Sequence, residues 1–232
     1  PEALRYYYAA KSSGGVDDLD LNLGDFVARV NADLVGKFVN LASRCAGFIE
    51  KRFDGQLASA LPDAEMCARF VAALAPIRES YERNDPASAI RQTMALADEA
   101  NRYIDDKKPW VIAKQDGADA ELQSVCTQGL NLFRILVAAL KPILPQTSKQ
   151  AEDFLASPVQ GWQDLETPLL SHAVKSYVPL FTRIDPKKID AMTEASKDTM
   201  GAAPVVGATS VANSKSDAEE IATHVAPTKN GD

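Results

Sequence analysis

Residues 22–53, NLGDFVARVNADLVGKFVNLASRCAGFIEKRF, are the longest stretch of the chain with one sustained period. Val27, Val30, Leu34, Phe38, Leu41, Cys45 and Phe48 recur at spacings of three and four, which is the inward stripe of an amphipathic helix. Asp54-Gly55 supplies a stop. Off the stripe, Asp33, Lys37, Asn40 and Arg44 form a polar ridge, and Asn40 and Arg44, four apart, share a face. Spacing alone makes that ridge ordinary solvated surface.

The same period continues downstream. A second helix fits Pro62 to Glu82, with Met66, Phe70, Val71, Leu74 and Ile77 inward and a kink expected at Pro76. Asp85-Pro86 is a start signal, with the aspartate as cap and the proline at the first helical position. The helix it opens carries Ile90, Met94, Ala97, Asn101 and Ile104 and ends at Lys107-Lys108-Pro109. Residues 118–141 are the most apolar segment and belong at the centre. Pro142 and Pro145 close it, and a short helix follows to Leu155. Residues 157–184 mix prolines with Trp162, Leu169, Val174 and Phe181, the pattern of an ordered strap over a bundle. A last short helix follows Asp185-Pro186. Beyond Ser196 no aromatic residue or apolar period remains, and such a segment cannot offset its ordering entropy. The expected class is all-α, an antiparallel helical bundle with a C-terminal strap and a flexible tail.

Composition narrows the function classes. With 232 residues, 46% of them hydrophobic, the chain can bury a core. A formal net charge of -7 argues against indiscriminate nucleic-acid binding, though not against RNA held on one basic and aromatic face. Cys45, Cys67 and Cys126 have no CxxC spacing and read as buried reduced thiols. His172 and His224 have no nucleophile or ligand cluster nearby, and Gly14-Gly15 lacks phosphate-loop spacing. No apolar run reaches the roughly 18 residues of a membrane span. The chain starts at Pro1 without a methionine or a signal-peptide layout, already in helical sequence. It is therefore expected to be a piece of a longer protein.

Lys107-Lys108-Pro109-Trp110 is the second chemical feature. An indole after a helix-ending proline sits on a stiff backbone and can stack on an unpaired base, worth about 1–3 kcal/mol. Two lysines beside it offer charge to a phosphate. Local chemistry alone favours instead a tryptophan capping the core, because Val111 and Ile112 can draw the segment inward.

Several runs occurring in order carry a resemblance to a known family. Asp17 to Leu23, Arg29 to Val35 and Asn40-Leu41-Ala42-Ser43-Arg44 resemble the start of the anticodon-binding bundle of bacterial methionyl-tRNA synthetases. Ala97 to Ile104, Lys108-Pro109-Trp110 and Leu140 to Pro145 are similar to its later segments. The resemblance covers roughly residues 1–195. It implies that Trp110 stacks on the first base of a CAU anticodon, and that Asn40 and Arg44 contact anticodon bases. Pro109 would shape the turn, with Asn101 and Asp105 supporting the loop. It further implies a connector over residues 1–23, the bundle over 24–195 and a linker over 196–232.

The family's nucleotide-binding domain, its HIGH-type and KMSKS-type signatures and its zinc knuckle have no counterpart in this sequence. ATP, and zinc where the knuckle is present, would belong to that domain, and this stretch is expected to hold no cofactor, no metal and no catalytic residue. The implied parent is a cytoplasmic ligase that attaches methionine to its tRNA. The expected partners are the tRNA(Met) anticodon stem-loop and the parent's own catalytic domain, with neither DNA nor membrane. Two alternatives stand beside this reading. A helical scaffold without RNA binding requires Trp110, Asn40 and Arg44 to be buried or far apart. A self-contained enzyme requires pyrophosphate exchange by this chain alone.

Overall fold

The computed structural model describes residues 1–15 and 19–200, without the side chains of Met192 and of 196–200. Val16, Asp17, Asp18, His224 and the segment 201–232, with most of the expected linker, lie outside the described residues. The chain divides into two units, Pro1–Met192 and Thr193–Asp232.

The first unit is an all-α bundle. Its helices are α1 (Glu2–Lys11), α2 (Leu23–Arg29), α3 (Asn40–Phe53), α4 (Ala64–Ala72), α5 (Leu74–Glu82), α6 (Pro86–Lys107), α7 (Pro109–Ile112), α8 (Asp119–Leu140) and α9 (Pro145–Leu155). α10 begins at Pro186 and runs to Met200, past the boundary expected at 195. Between α2 and α3 the chain forms a π-helix over Val30–Val39 instead of the single α-helix expected from Asn22 to Phe53. Val30, Leu34 and Phe38, spaced by four, stay on one buried face through this segment, and all three are fully buried.

The break in the second helix also moves. Pro76 lies inside α5, and the interruption falls at Ala73. Proline lacks the N–H for a bond to the carbonyl four residues back, and its ring clashes there. The chain therefore opens just after Ala72 and not at the proline itself.

α8 is the axis of the bundle, buried almost without interruption from Val125 to Leu140. It runs antiparallel to α3 and to the π segment. Arg52 meets Asp119, and Phe38 stacks on Phe133 with ring centroids 5.1 Å apart. Close approach depends on Gly129, where a Cβ would lie 2.5 Å from Cys45 Sγ and 3.1 Å from Ile104 Cδ1. Cys45, Cys67 and Cys126 are all buried and free. Burial pushes the Cys67 thiol up to about 11, which leaves it unreactive as a nucleophile.

The polar side chains of α8 anchor the strap. Asn131 donates to the Leu169 carbonyl and accepts from its N–H at 2.7 Å, while Arg134 donates to the carbonyls of Thr167 and Asp164. Gln128 pairs with both backbone groups of Asp63. Most buried polar groups are partnered in this way, while the buried Arg134 Nε has no partner among the described residues. At the other end of the unit, the Glu2 carboxylate accepts from the N–H groups of Gln146 and Thr147, the open first turn of α9.

Candidate nucleic-acid interface

The polar ridge predicted on the long helix is present, and α6 lies along it. Lys37 pairs with Asp98 at 2.9 Å, Asn40 Nδ2 donates to Asn101 Oδ1 at 3.1 Å, and Arg44 pairs with Asp105. Each pair spans 61 residues, so the two helices run parallel and in register. Asn101 has a second task. Its Nδ2 donates to the Lys37 carbonyl at 3.0 Å and to the Ala97 carbonyl at 2.8 Å. Lys37 sits where the π segment gives way to α3, and its carbonyl also accepts from the Asn40 N–H, so this side chain adds a second bond at the change of helical pitch. The same residue's amide oxygen orients Asn40.

α6 stops because Lys108 adopts a left-handed conformation, φ 52°, and its N–H caps the Ile104 carbonyl. Pro109 then occupies the first position of α7, where its missing N–H costs nothing. Pro109 and Ile112, three apart, face inward and are buried. That geometry turns Trp110 and Val111 outward, and Trp110 is 37% exposed. The indole is therefore not a cap on the core. The Arg44 guanidinium lies 4.6 Å from the centre of the Trp110 ring while its other side holds Asp105. One arginine of α3 thus links the end of α6 to the tryptophan. A helical scaffold would have needed these residues buried or apart; none of the three is buried, and Arg44 is in contact with Trp110.

Beside the indole is a cavity of about 320 Å³ lined by Ser43, Arg44, Gly47, Phe48, Lys51 and Trp110. Ser43, Gly47 and Lys51 extend the ridge by full turns of α3, and sequence reasoning misses them. Their available signal is a glycine inside a helix. Lys51, Lys107 and Lys108 form no ion pair among the described residues, and the exposed carboxylates of Glu50 and Asp106 stand next to them in sequence. A separate cavity of about 310 Å³ beneath the strap, lined by Cys67, Arg134 and Leu165, contains none of the ridge residues. His172 is engaged by the Leu155 carbonyl at 2.7 Å. Among the described residues no three His, Cys, Asp or Glu side chains are grouped to hold a metal ion, and no helix is long and apolar enough to cross a membrane.

An exposed aromatic on a stiff turn, backed by a guanidinium and next to amide donors, defines a surface for flat polar rings. Comparison with known proteins gives the class. Residues 56–195, more than half of the chain, match the family described as the anticodon binding domain of methionyl tRNA ligase. Residues 1–46 match the class I tRNA synthetases of the methionine type. The chain belongs to the methionyl-tRNA ligase family. It is 77% identical over 224 residues to a methionine–tRNA ligase of Xanthomonas euvesicatoria, covering 96% of this chain and 32% of that protein. It is 80% identical over 202 residues to one of Xanthomonas campestris, covering 87% of this chain and 29% of that protein. The chain thus spans about a third of the curated relatives it matches. Among solved structures, apo Mycobacterium tuberculosis methionyl-tRNA synthetase superposes with a TM-score of 0.71 at 21% identity, covering 80% of this chain and 39% of that one. At that identity the likeness shows the fold alone.

Proposed function

We propose that this chain reads the CAU anticodon of tRNA(Met), with Trp110 stacking on the first base and Asn40 and Arg44 contacting anticodon bases. The observation that carries this reading is the Arg44 guanidinium held 4.6 Å from the centre of an exposed indole. In this arrangement Pro109 fixes the turn, and Asn101 and Asp105 set the two polar side chains from α6. Asn40 donates one N–H to Asn101 and retains its amide oxygen and second N–H for a base edge. Arg44 keeps donors beyond the one given to Asp105.

The parent protein, on this reading, attaches methionine to its tRNA with ATP in the cytoplasm. The ATP site belongs to its catalytic domain, and this chain alone binds the stem-loop without catalysing. Residues 1–23 serve as connector, 24–195 as the anticodon-binding bundle and 196–232 as linker. The buried Tyr6 and Tyr7 support a connector seated firmly on the bundle.

The test is binding of a short RNA hairpin with a CAU loop against one with a scrambled loop. The CAU hairpin is expected to bind more tightly. Trp110→Ala is expected to weaken binding by about 5- to 150-fold, equivalent to the 1–3 kcal/mol of one stacked base. It should also remove discrimination at the first loop base. Equal affinity of the intact chain for both hairpins overturns the reading.

A further inference from the structure

Four glycines lie inside described helical segments, and three have an account within the protein. At Gly129 a Cβ would collide with Cys45 Sγ, and at Gly36 it would press on the Asn31 carbonyl at 3.2 Å. Gly24 stands in the first turn of α2, against the capping Asn22 oxygen at 3.4 Å. Gly47 is different. It occupies the interior of α3, where glycine weakens a helix relative to alanine, yet a Cβ there meets nothing within 4 Å. The protein itself gains nothing from the missing side chain. The empty space is the cavity shared with Trp110 and Arg44.

Asn40, Arg44, Gly47 and Lys51 follow one another at four, three and four residues, so they lie on one face of α3. On that face Gly47 is the notch between a guanidinium and an exposed ammonium. We propose that Gly47 is a positioning residue of the RNA site. Its bare backbone keeps open the space beside Trp110 into which an unpaired base is laid, and Lys51, one turn further, meets that nucleotide's phosphate. This rests on the anticodon reading above. Any side chain at position 47 projects into the cavity because no protein atom stands in its way. The loss of binding therefore scales with side-chain volume.

The test uses this chain, the CAU hairpin and three variants: Gly47→Ala, Gly47→Leu and Trp110→Ala. Thermal melts of both Gly47 variants are expected at or above the parent's. Hairpin affinity is expected to fall a few-fold in the alanine variant and more than tenfold in the leucine variant, with the preference for the first loop base narrowed. A Gly47→Leu chain that binds within twofold of the parent, while Trp110→Ala has lost affinity, overturns the proposal and leaves the anticodon reading standing. If neither Gly47→Leu nor Trp110→Ala alters binding, the anticodon reading falls and this proposal with it. A Gly47→Leu melt well below the parent's shows that the space is not open and also overturns the proposal.

Discussion

The two faces of α3 obey opposite rules within the same fourteen residues. On the inner face, Leu41, Cys45 and Ile49 are fully buried, and Cys45 presses so closely on α8 that only glycine fits at 129. On the outer face, Asn40 and Arg44 are paired one to one with α6 but remain within reach of solvent, and Gly47 opens onto a cavity. The inner face gains stability from density, where each added or removed methylene is felt. The outer face gains little stability, because exposed ion pairs contribute about 0–1 kcal/mol. What it gains is geometry, since side chains clamped by neighbours hold their donors in place for a ligand.

Substitutions can break this contrast, and the largest effect is expected inside. Gly129→Leu forces a branched side chain against Cys45 and Ile104. It should cost about 3 kcal/mol or prevent folding, read from the urea midpoint, as expected for overpacking. A midpoint unchanged from the parent's would show that the α3–α8 contact can yield. Next comes Asn101→Leu, which is similar in size but cannot bond the Lys37 carbonyl or Asn40. Losing these bonds, with the Lys37 carbonyl still accepting from the Asn40 N–H, should lower stability by about 1 kcal/mol. The CAU hairpin should also bind less tightly, because Asn40 loses its orientation. A variant that loses stability but keeps full affinity would separate the two roles. The smallest effect is expected for Lys37→Met, whose ion pair with Asp98 is 32% and 50% exposed on its two sides. The urea midpoint should move by less than the equivalent of about 0.5 kcal/mol, and a larger shift would show that the ridge is structural.

Much of this architecture is legible in the sequence because its signals are local. Asp85 and Pro86 start α6 as their chemistry requires, and the Asp85 side chain accepts from Ser88 N–H at 2.9 Å. Asp54 and Gly55 end α3 with positive φ. Trp110 is recognisable from the proline before it, although its outward orientation depends on Pro109 and Ile112 being buried together. The features that are not legible depend on distant partners. Asn131 and Arg134 read as interruptions of an apolar helix until the strap carbonyls, 30 to 38 residues away, are in place. The π segment is another such feature, since Val30, Leu34 and Phe38 have the spacing of an ordinary α-helical stripe. Gly47 is hard to read because a missing side chain leaves no pattern to detect, only a helix weaker than it need be.

The Glu2 carboxylate at the first turn of α9 has a consequence for the order of assembly. Its bonds to Gln146 and Thr147 join positions 144 and 145 residues apart. A chain emerging from the ribosome makes α1 first and α9 long afterwards. Until α1 is seated, α9 lacks the acceptor for its opening N–H groups, and its eleven residues are too few to hold a helix on their own. α9, and with it the strap beyond, is therefore expected to be the last part of the bundle to close. Two helices made far apart in time must meet before the unit is complete.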